Sequence, residues 1–120
     1  MAKILVVDDS ITEREVMKNG LEDEGYSVTI AKDGEEALEI LKKEKFDCIL
    51  LDVIMPKING FQVCREIKKD EFTKDIPVIL VTSKGQESDM FWGKKQGADD
   101  YIVKPFKIDD LVKIVKRFVK

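Results

Sequence analysis

Six side chains stand where chemistry could happen: Asp8, Asp9, Asp52, Thr82, Ser83 and Lys104. All of them come directly after short apolar runs. Asp8 and Asp9 follow Ile4–Val7, Asp52 follows Cys48–Leu51, Thr82 and Ser83 follow Val78–Val81, and Lys104 follows Tyr101–Val103. Continuous apolar runs of this length suit strands buried on both faces of a parallel sheet. In such a sheet, ligands bind beyond the carboxyl ends of the strands. Four strand ends then converge on three carboxylates, a hydroxyl and an ammonium. Each residue alone has a plain structural explanation. Asp8, Asp9 and Ser10 could be helix caps, and Asp52 a turn residue before Met55-Pro56. Thr82 could bond to its own backbone, and Lys104 could be a solvated loop lysine. Together they call for more, because three converging carboxylates repel one another and one lysine is not enough to hold them. A divalent cation is the simple answer. Oxygen donors in a chain without histidine favour Mg²⁺, Ca²⁺ or Mn²⁺. Mg²⁺ uses one or two carboxylates, several waters and a phosphate oxygen, which leaves one carboxylate free. A free carboxylate can form an aspartyl phosphate. Phosphoryl transfer needs positioning and charge neutralisation more than covalent machinery. Lys104 would supply charge and Thr82 a hydrogen bond. That chemistry fits these residues without being the only chemistry that does.

The elements that must position them can be traced along the chain. Val28-Thr29-Ile30 alternates, which suits an edge strand, and Tyr101–Val103 is a short fifth run. The stretches between the runs have helical spacing. Ser10-Ile11-Thr12-Glu13 has the form of a capping box, in which the serine caps the first turn and the glutamate reaches back. Val16, Met17, Gly20 and Leu21 then share one face, and Gly25 suits the stop. Asp33 can cap a second helix with Ala37, Leu38 and Leu41 inward. Asn59 can cap a third with Val63, Cys64 and Ile67 inward. A fourth runs from about Gln86 to Lys95 and ends near Gly97. A fifth carries Leu111, Ile114, Val115 and Phe118, with Asp109 and Asp110 in its first turn, where the helix dipole favours anions. The β-α alternation predicts an α/β fold, a doubly wound parallel sheet with helices on both faces and right-handed crossovers. Residues 1–120 are expected to form one domain, large enough to bury about two-thirds of its unfolded surface.

Composition narrows the function classes. The chain is 43% hydrophobic and 38% charged, with a net charge of −3 and no basic patch. Direct nucleic-acid binding is therefore not expected. Cys48 and Cys64 lie in apolar stretches and are expected to be buried free thiols. Without histidine or a cysteine cluster, zinc is not expected. The apolar run at the N-terminus is too short for a signal peptide or membrane span. A cytoplasmic, monomeric protein without membrane insertion is expected.

The segments VVDDS, LLDVIMPKINGF, PVILVTSK and GADDYIVKPF resemble the motif blocks of the response-regulator receiver family, in its order and spacing across the whole chain. The resemblance implies the flavodoxin-like, CheY-like (βα)₅ fold with a five-stranded sheet of order 2-1-3-4-5. It implies that Asp52 accepts a phosphoryl group from a sensor histidine kinase. Asp8, Asp9, Asp52 and the backbone carbonyl of Ile54 would hold Mg²⁺, with Asp9 favoured over Asp8 as a direct ligand. Thr82 and Lys104 would contact the phosphoryl group. Lys104-Pro105 would be a cis peptide, and Tyr101 the switch aromatic whose rotamer follows Thr82. Output would pass to a protein target through the fourth helix, fifth strand and fifth helix. A narrower likeness lies in FWGKKQGADDYIVKPF, especially Trp92-Gly93. It resembles single-domain regulators of twitching motility and related chemotaxis-like systems. Met90, Phe91 and Trp92 cannot all face inward, so at least one should be exposed.

Two other functions set clear tests. An aspartate-nucleophile phosphohydrolase typically has a second Asp two residues after the nucleophile, and here that position is Ile54. A nucleotide or flavin module needs a phosphate-cradling loop after the first strand, where this chain has Asp8-Asp9. Neither pattern is met, so turnover of an external substrate is not expected. Ile54 and Lys84 flank the phosphoryl position, and both are expected to hinder a hydrolytic water.

Overall fold

The computed structural model describes residues 1–119. The five apolar runs become the strands β1 (Lys3–Val7), β2 (Ser27–Ala31), β3 (Cys48–Leu51), β4 (Val78–Thr82) and β5 (Asp100–Val103). Between and after them lie α1 (Ile11–Asp23), α2 (Gly34–Lys43), α3 (Gly60–Lys69), α4 (Glu87–Lys95) and α5 (Ile108–Phe118). All strand pairings are parallel, in the order β2-β1-β3-β4-β5. The register aligns Ile4 with Cys48, Ile49 with Val78 and Leu80 with Tyr101. β2 and β5 form the edges, as the alternation of β2 predicts.

Successive strand residues point to opposite faces, so the sheet separates two cores. Ile4, Val6, Leu50, Ile79 and Val81 meet Met17 and Leu21 of α1 and Leu111, Val112 and Val115 of α5. Leu5, Val7, Ile49, Leu51 and Leu80 meet Ala37 and Leu41 of α2 and Val63, Cys64 and Ile67 of α3. Truncating one of these leucines to alanine should cost about 2–5 kcal/mol. Both cysteines are buried and free. Burial pushes the thiol pKa of Cys48 up to about 12 and that of Cys64 up to about 11, so both remain protonated packing groups.

The caps form where expected: Ser10, Asp33 and Asn59 each accept from the backbone N–H three residues on. Gly25 and Gly97 follow α1 and α4 with φ of 92° and 97°, the left-handed conformation that glycine adopts without strain. One facing assignment needs correction, and the expectation that at least one of Met90, Phe91 and Trp92 is exposed is met. Val16 is exposed, because α1 meets the sheet through Met17 and Leu21 instead. In α4, Met90, Phe91 and Trp92 are all exposed, and only Gly93 is buried. A Cβ at Gly93 would lie 2.8 Å from Leu80 and 3.2 Å from Tyr101, so this helix rests on the sheet by its backbone. No helix among the described residues is long and apolar enough to cross a membrane.

Candidate functional site

The sheet ladder runs one residue beyond the strands and sets the carboxylates in register. Asp8 N–H donates to the Ala31 carbonyl at 3.1 Å, and Asp52 N–H to the Val7 carbonyl at 2.9 Å. On the other side, Lys104 N–H donates to the Thr82 carbonyl at 2.9 Å. Four strand ends thus meet at the β1–β3 crevice, where the chain winds outward in both directions. The start of α3 holds the floor. Gly60 N–H donates to the Val53 carbonyl at 2.9 Å. A Cβ on Gly60 would collide with the Asp52 carbonyl oxygen, so only glycine allows this approach.

Asp8 and Asp52 are buried and Asp9 is exposed, and one carboxylate oxygen from each lies within 4.8 Å of the others. Asp8 Oδ1 accepts from Ser10 N–H at 2.9 Å, and Asp52 Oδ1 from Ile54 N–H at 3.2 Å. Their second oxygens both accept from Lys104 Nζ, at 2.7 Å for Asp8 and 3.1 Å for Asp52. Burial pushes the Asp52 carboxyl pKa above its ordinary value, aided by the Asp8 charge and opposed by Lys104. Burial also works to depress the Lys104 pKa. Hydrogen bonds to Asp8 and Glu13 and the charges of Asp52 and Asp8 outweigh that, and the net shift is upward. The lysine stays cationic.

Two residues enter that the sequence reading did not place here. Glu13 accepts from Lys104 Nζ at 2.9 Å. Its carboxylate therefore does not complete the expected capping box, because Asp8 has already taken the Ser10 N–H. Arg14 Nη1 donates to the Asp8 carbonyl at 2.9 Å, while its buried Nε finds no partner among the described residues. No local signal pointed to either, since the capping pattern accounted for Glu13 and the helical spacing for Arg14. Three carboxylates, from Asp8, Glu13 and Asp52, thus surround one ammonium, with Asp9 beside them and one guanidinium behind. Hard oxygen donors in excess of local positive charge fit a hard divalent cation such as Mg²⁺.

Thr82 is fully buried, and its Oγ1 accepts from Lys84 N–H at 3.4 Å. The Tyr101 hydroxyl donates to the Lys84 carbonyl at 2.6 Å. Burial, then the charges of Asp89 and Asp52, raise the Tyr101 pKa to about 12, so the phenol keeps its proton. The two expected switch residues therefore grip opposite ends of Lys84. The Lys84 side chain turns toward Asp89, 3.7 Å away. Lys104-Pro105 is cis, as the motif implies. A groove of about 570 Å³ opens beside the site, lined by residues including Ile54, Lys84 and Trp92.

Residues 4–116 match the response regulator receiver domain family. Protein PilH of Pseudomonas aeruginosa is 46% identical over 115 residues, covering 96% of this chain and 95% of PilH. The probable transcriptional regulator ycf27 of Guillardia theta is 44% identical over 109 residues, and there the match spans only 42% of the longer protein. Among solved structures, the chemotaxis protein CheY4 of Vibrio cholerae superposes with a TM-score of 0.94 at 38% identity, over 99% of both chains. The BeF3-activated DrrB receiver domain gives 0.90 at 35% identity, over 98% of this chain and 97% of that one. With the motif blocks seated at the carboxyl ends of a 2-1-3-4-5 sheet, the chain belongs to the response regulator receiver domains, a family of two-component signalling proteins rather than metabolic enzymes.

Proposed function

We propose that Asp52 accepts a phosphoryl group from a sensor histidine kinase and that the domain responds by reshaping a surface for a downstream protein. One observation carries this: a buried aspartate sits within reach of the Lys104 ammonium, inside a cluster of acid oxygens within 4.8 Å of one another. Asp8, Asp9, Asp52 and the carbonyl of Ile54 would hold Mg²⁺, with Asp9 favoured over Asp8 as a direct ligand. When bound, the ion would offset negative charge on the phosphoryl oxygens. The remaining work falls to the chain. An Asp52 carboxylate oxygen attacks phosphorus, and one P–O bond forms. The bond from phosphorus to the kinase imidazole nitrogen breaks, and its electron pair leaves on that nitrogen. Lys104 opposes the upward push of burial on the Asp52 carboxyl and would then pair with the phosphoryl group.

Thr82 would donate its O–H to a phosphoryl oxygen, and the same Oγ1 accepts from the Lys84 N–H. Tyr101 holds the same residue by its carbonyl, so the β4–α4 loop links both side chains. Phosphorylation then shifts the population toward one Thr82–Tyr101 arrangement, with Pro105 at the start of the adjoining loop. The outcome is a changed face of α4, β5 and α5, where Met90, Phe91 and Trp92 offer exposed apolar anchors for a partner. The domain assists its own phosphorylation and dephosphorylation without turning over an external substrate. Residues 1–120 act as one receiver domain, cytoplasmic and monomeric, with no direct contact to nucleic acid.

The test uses a small acyl phosphate and Mg²⁺. The chain should gain one phosphoryl group at Asp52, located by mass spectrometry. Asp52→Asn should gain none there, and a chelator should stop the reaction. Equal labelling of Asp52→Asn would overturn the assignment.

A further inference from the structure

Glu13 has no part in the chemistry just described, yet it takes one of the three N–H donors of Lys104. Asp8, Glu13 and Asp52 accept from that ammonium at 2.7, 2.9 and 3.1 Å. Every donor is therefore engaged before any phosphoryl group arrives. Pairing Lys104 with a phosphoryl oxygen requires that one of these bonds be given up. The choices differ in cost. The side chains of Asp8 and Asp52 are 1% and 8% exposed, whereas that of Glu13 is 44% exposed. Asp8 and Asp52 are held in the buried site by the N–H groups of Ser10 and Ile54, whereas a released Glu13 carboxylate swings out into water. Glu13 is also free to move, since the cap it would otherwise complete is closed by Asp8. The Ser10 side chain still caps the helix through the backbone N–H of Glu13.

We infer that Glu13 is a positioning residue, a releasable latch on Lys104 that competes with the phosphoryl group for the ammonium. The latch lowers the affinity of the site for a phosphoryl group and so sets how far a given donor drives the domain into its phosphorylated state. A weaker latch means a larger phosphorylated fraction at the same donor level. This inference rests on the roles proposed above for Asp52 and Lys104.

Beryllofluoride, the phosphoryl mimic, provides the measurement. The full chain is titrated with beryllium in excess fluoride at saturating Mg²⁺, and uptake is read from the fluorine signal of the bound species. Glu13→Gln should bind roughly three- to tenfold more tightly than wild type, the size expected for a half-exposed charged hydrogen bond. Glu13→Asp separates contact from charge. It keeps the negative charge but is one methylene shorter, which takes its oxygens out of reach of Nζ. A latch predicts that Glu13→Asp tightens binding as Glu13→Gln does. If Glu13→Asp matches wild type while Glu13→Gln tightens, simple charge repulsion is at work and the latch is wrong. Unchanged or weaker uptake by Glu13→Gln also overturns it. Proton exchange at the Lys104 ammonium, followed by NMR without beryllofluoride, should be faster in both variants, a readout that a helix-stabilising role would not move. Asp52→Asn is the control for the underlying reading. If it takes up beryllofluoride as wild type does, the site assignment fails. If Asp52→Asn takes up none and Glu13→Gln binds as wild type does, the latch alone fails.

Discussion

Buried aspartates end or cap at two corners of the sheet, and they are used in opposite ways. Asp33, just beyond edge strand β2, caps α2: its Oδ1 accepts from Glu36 N–H at 2.9 Å, and Lys57 Nζ lies 3.7 Å from Oδ2. Its carboxyl is held below the ordinary 3.8, first by that backbone bond, with burial opposing and the Lys57 and Lys32 charges assisting. Glu36 in turn accepts from the backbone N–H of Lys32. Every acid at this corner serves the local fold. At the β1–β3 corner, Asp8 closes the turn onto Ser10, but Asp8, Asp52 and Glu13 also crowd around Lys104, and burial lifts the Asp52 carboxyl. One corner settles each acid on its own neighbouring backbone N–H, and the other gathers three carboxylates on a single ammonium. The sequences Ser10-Ile11-Thr12-Glu13 and Asp33-Gly34-Glu35-Glu36 carry the same capping pattern. Position in the sheet separates them: β2 is an edge strand, while β1 is flanked by β3 and faces Asp52.

Metal binding should divide the corners most strongly. At a concentration of 100 times its dissociation constant, Mg²⁺ should stabilise wild type by about 2.7 kcal/mol. Urea unfolding with and without Mg²⁺ should show that gain reduced or lost in Asp9→Asn and retained in Asp33→Asn. If Asp33→Asn lost the gain as fully as Asp9→Asn, the division would not stand.

Helix capping should give the next largest contrast, in the opposite sense. Asp33→Ala should cost about 1 kcal/mol without metal. Ser10→Ala should cost clearly less, because its bond to Glu13 N–H is long, 3.3 Å, and Asp8 still holds the turn. Equal losses in metal-free thermal unfolding would mean that the α1 start depends on its cap as much as α2 does.

The smallest effects should appear in the pH dependence, with opposite signs. The Asp33 carboxyl is depressed, so its charge stabilises the fold above 3.8 and that contribution fades as pH falls through the folded value. Asp33→Asn should therefore be less stable than wild type at pH 7, with the gap closing in acid. The Asp52 carboxyl is raised, so its contribution is present below 3.8 and is lost as pH rises through the folded value. Metal-free Asp52→Asn should be more stable than wild type at pH 7, and that gap too should close in acid. Denaturant midpoints across pH would check both slopes, and matching slopes would undo the contrast.

Much of the frame was legible in the sequence because it depends on local patterns. Continuous runs such as Cys48–Leu51 can be satisfied only by strands covered on both faces. Ser10, Asp33 and Asn59 announced helix starts through the N–H groups that such starts leave unpaired. Asp8, Asp9, Asp52, Thr82 and Lys104 stood out because strand ends of a parallel sheet must share one edge. Val16 and the resting face of α4 were harder to place. Helical spacing gives a face without saying which residues the sheet will accept, and α4 turned out to rest on Gly93.

What the sequence determined by itself, then, was which elements form and which chemical groups reach the carboxyl edge, since periodicity and capping act over a few residues. Only the tertiary structure decided how those groups share hydrogen bonds. Lys104 lies 91 residues from Glu13, and nothing local to either residue says that they meet. Once Asp8 had taken the Ser10 N–H, Glu13 was left with an unpaired carboxylate beside a three-donor ammonium. A partner at that range is chosen by the packing of α1 beside the end of β5, which the sequence encodes only through the whole fold.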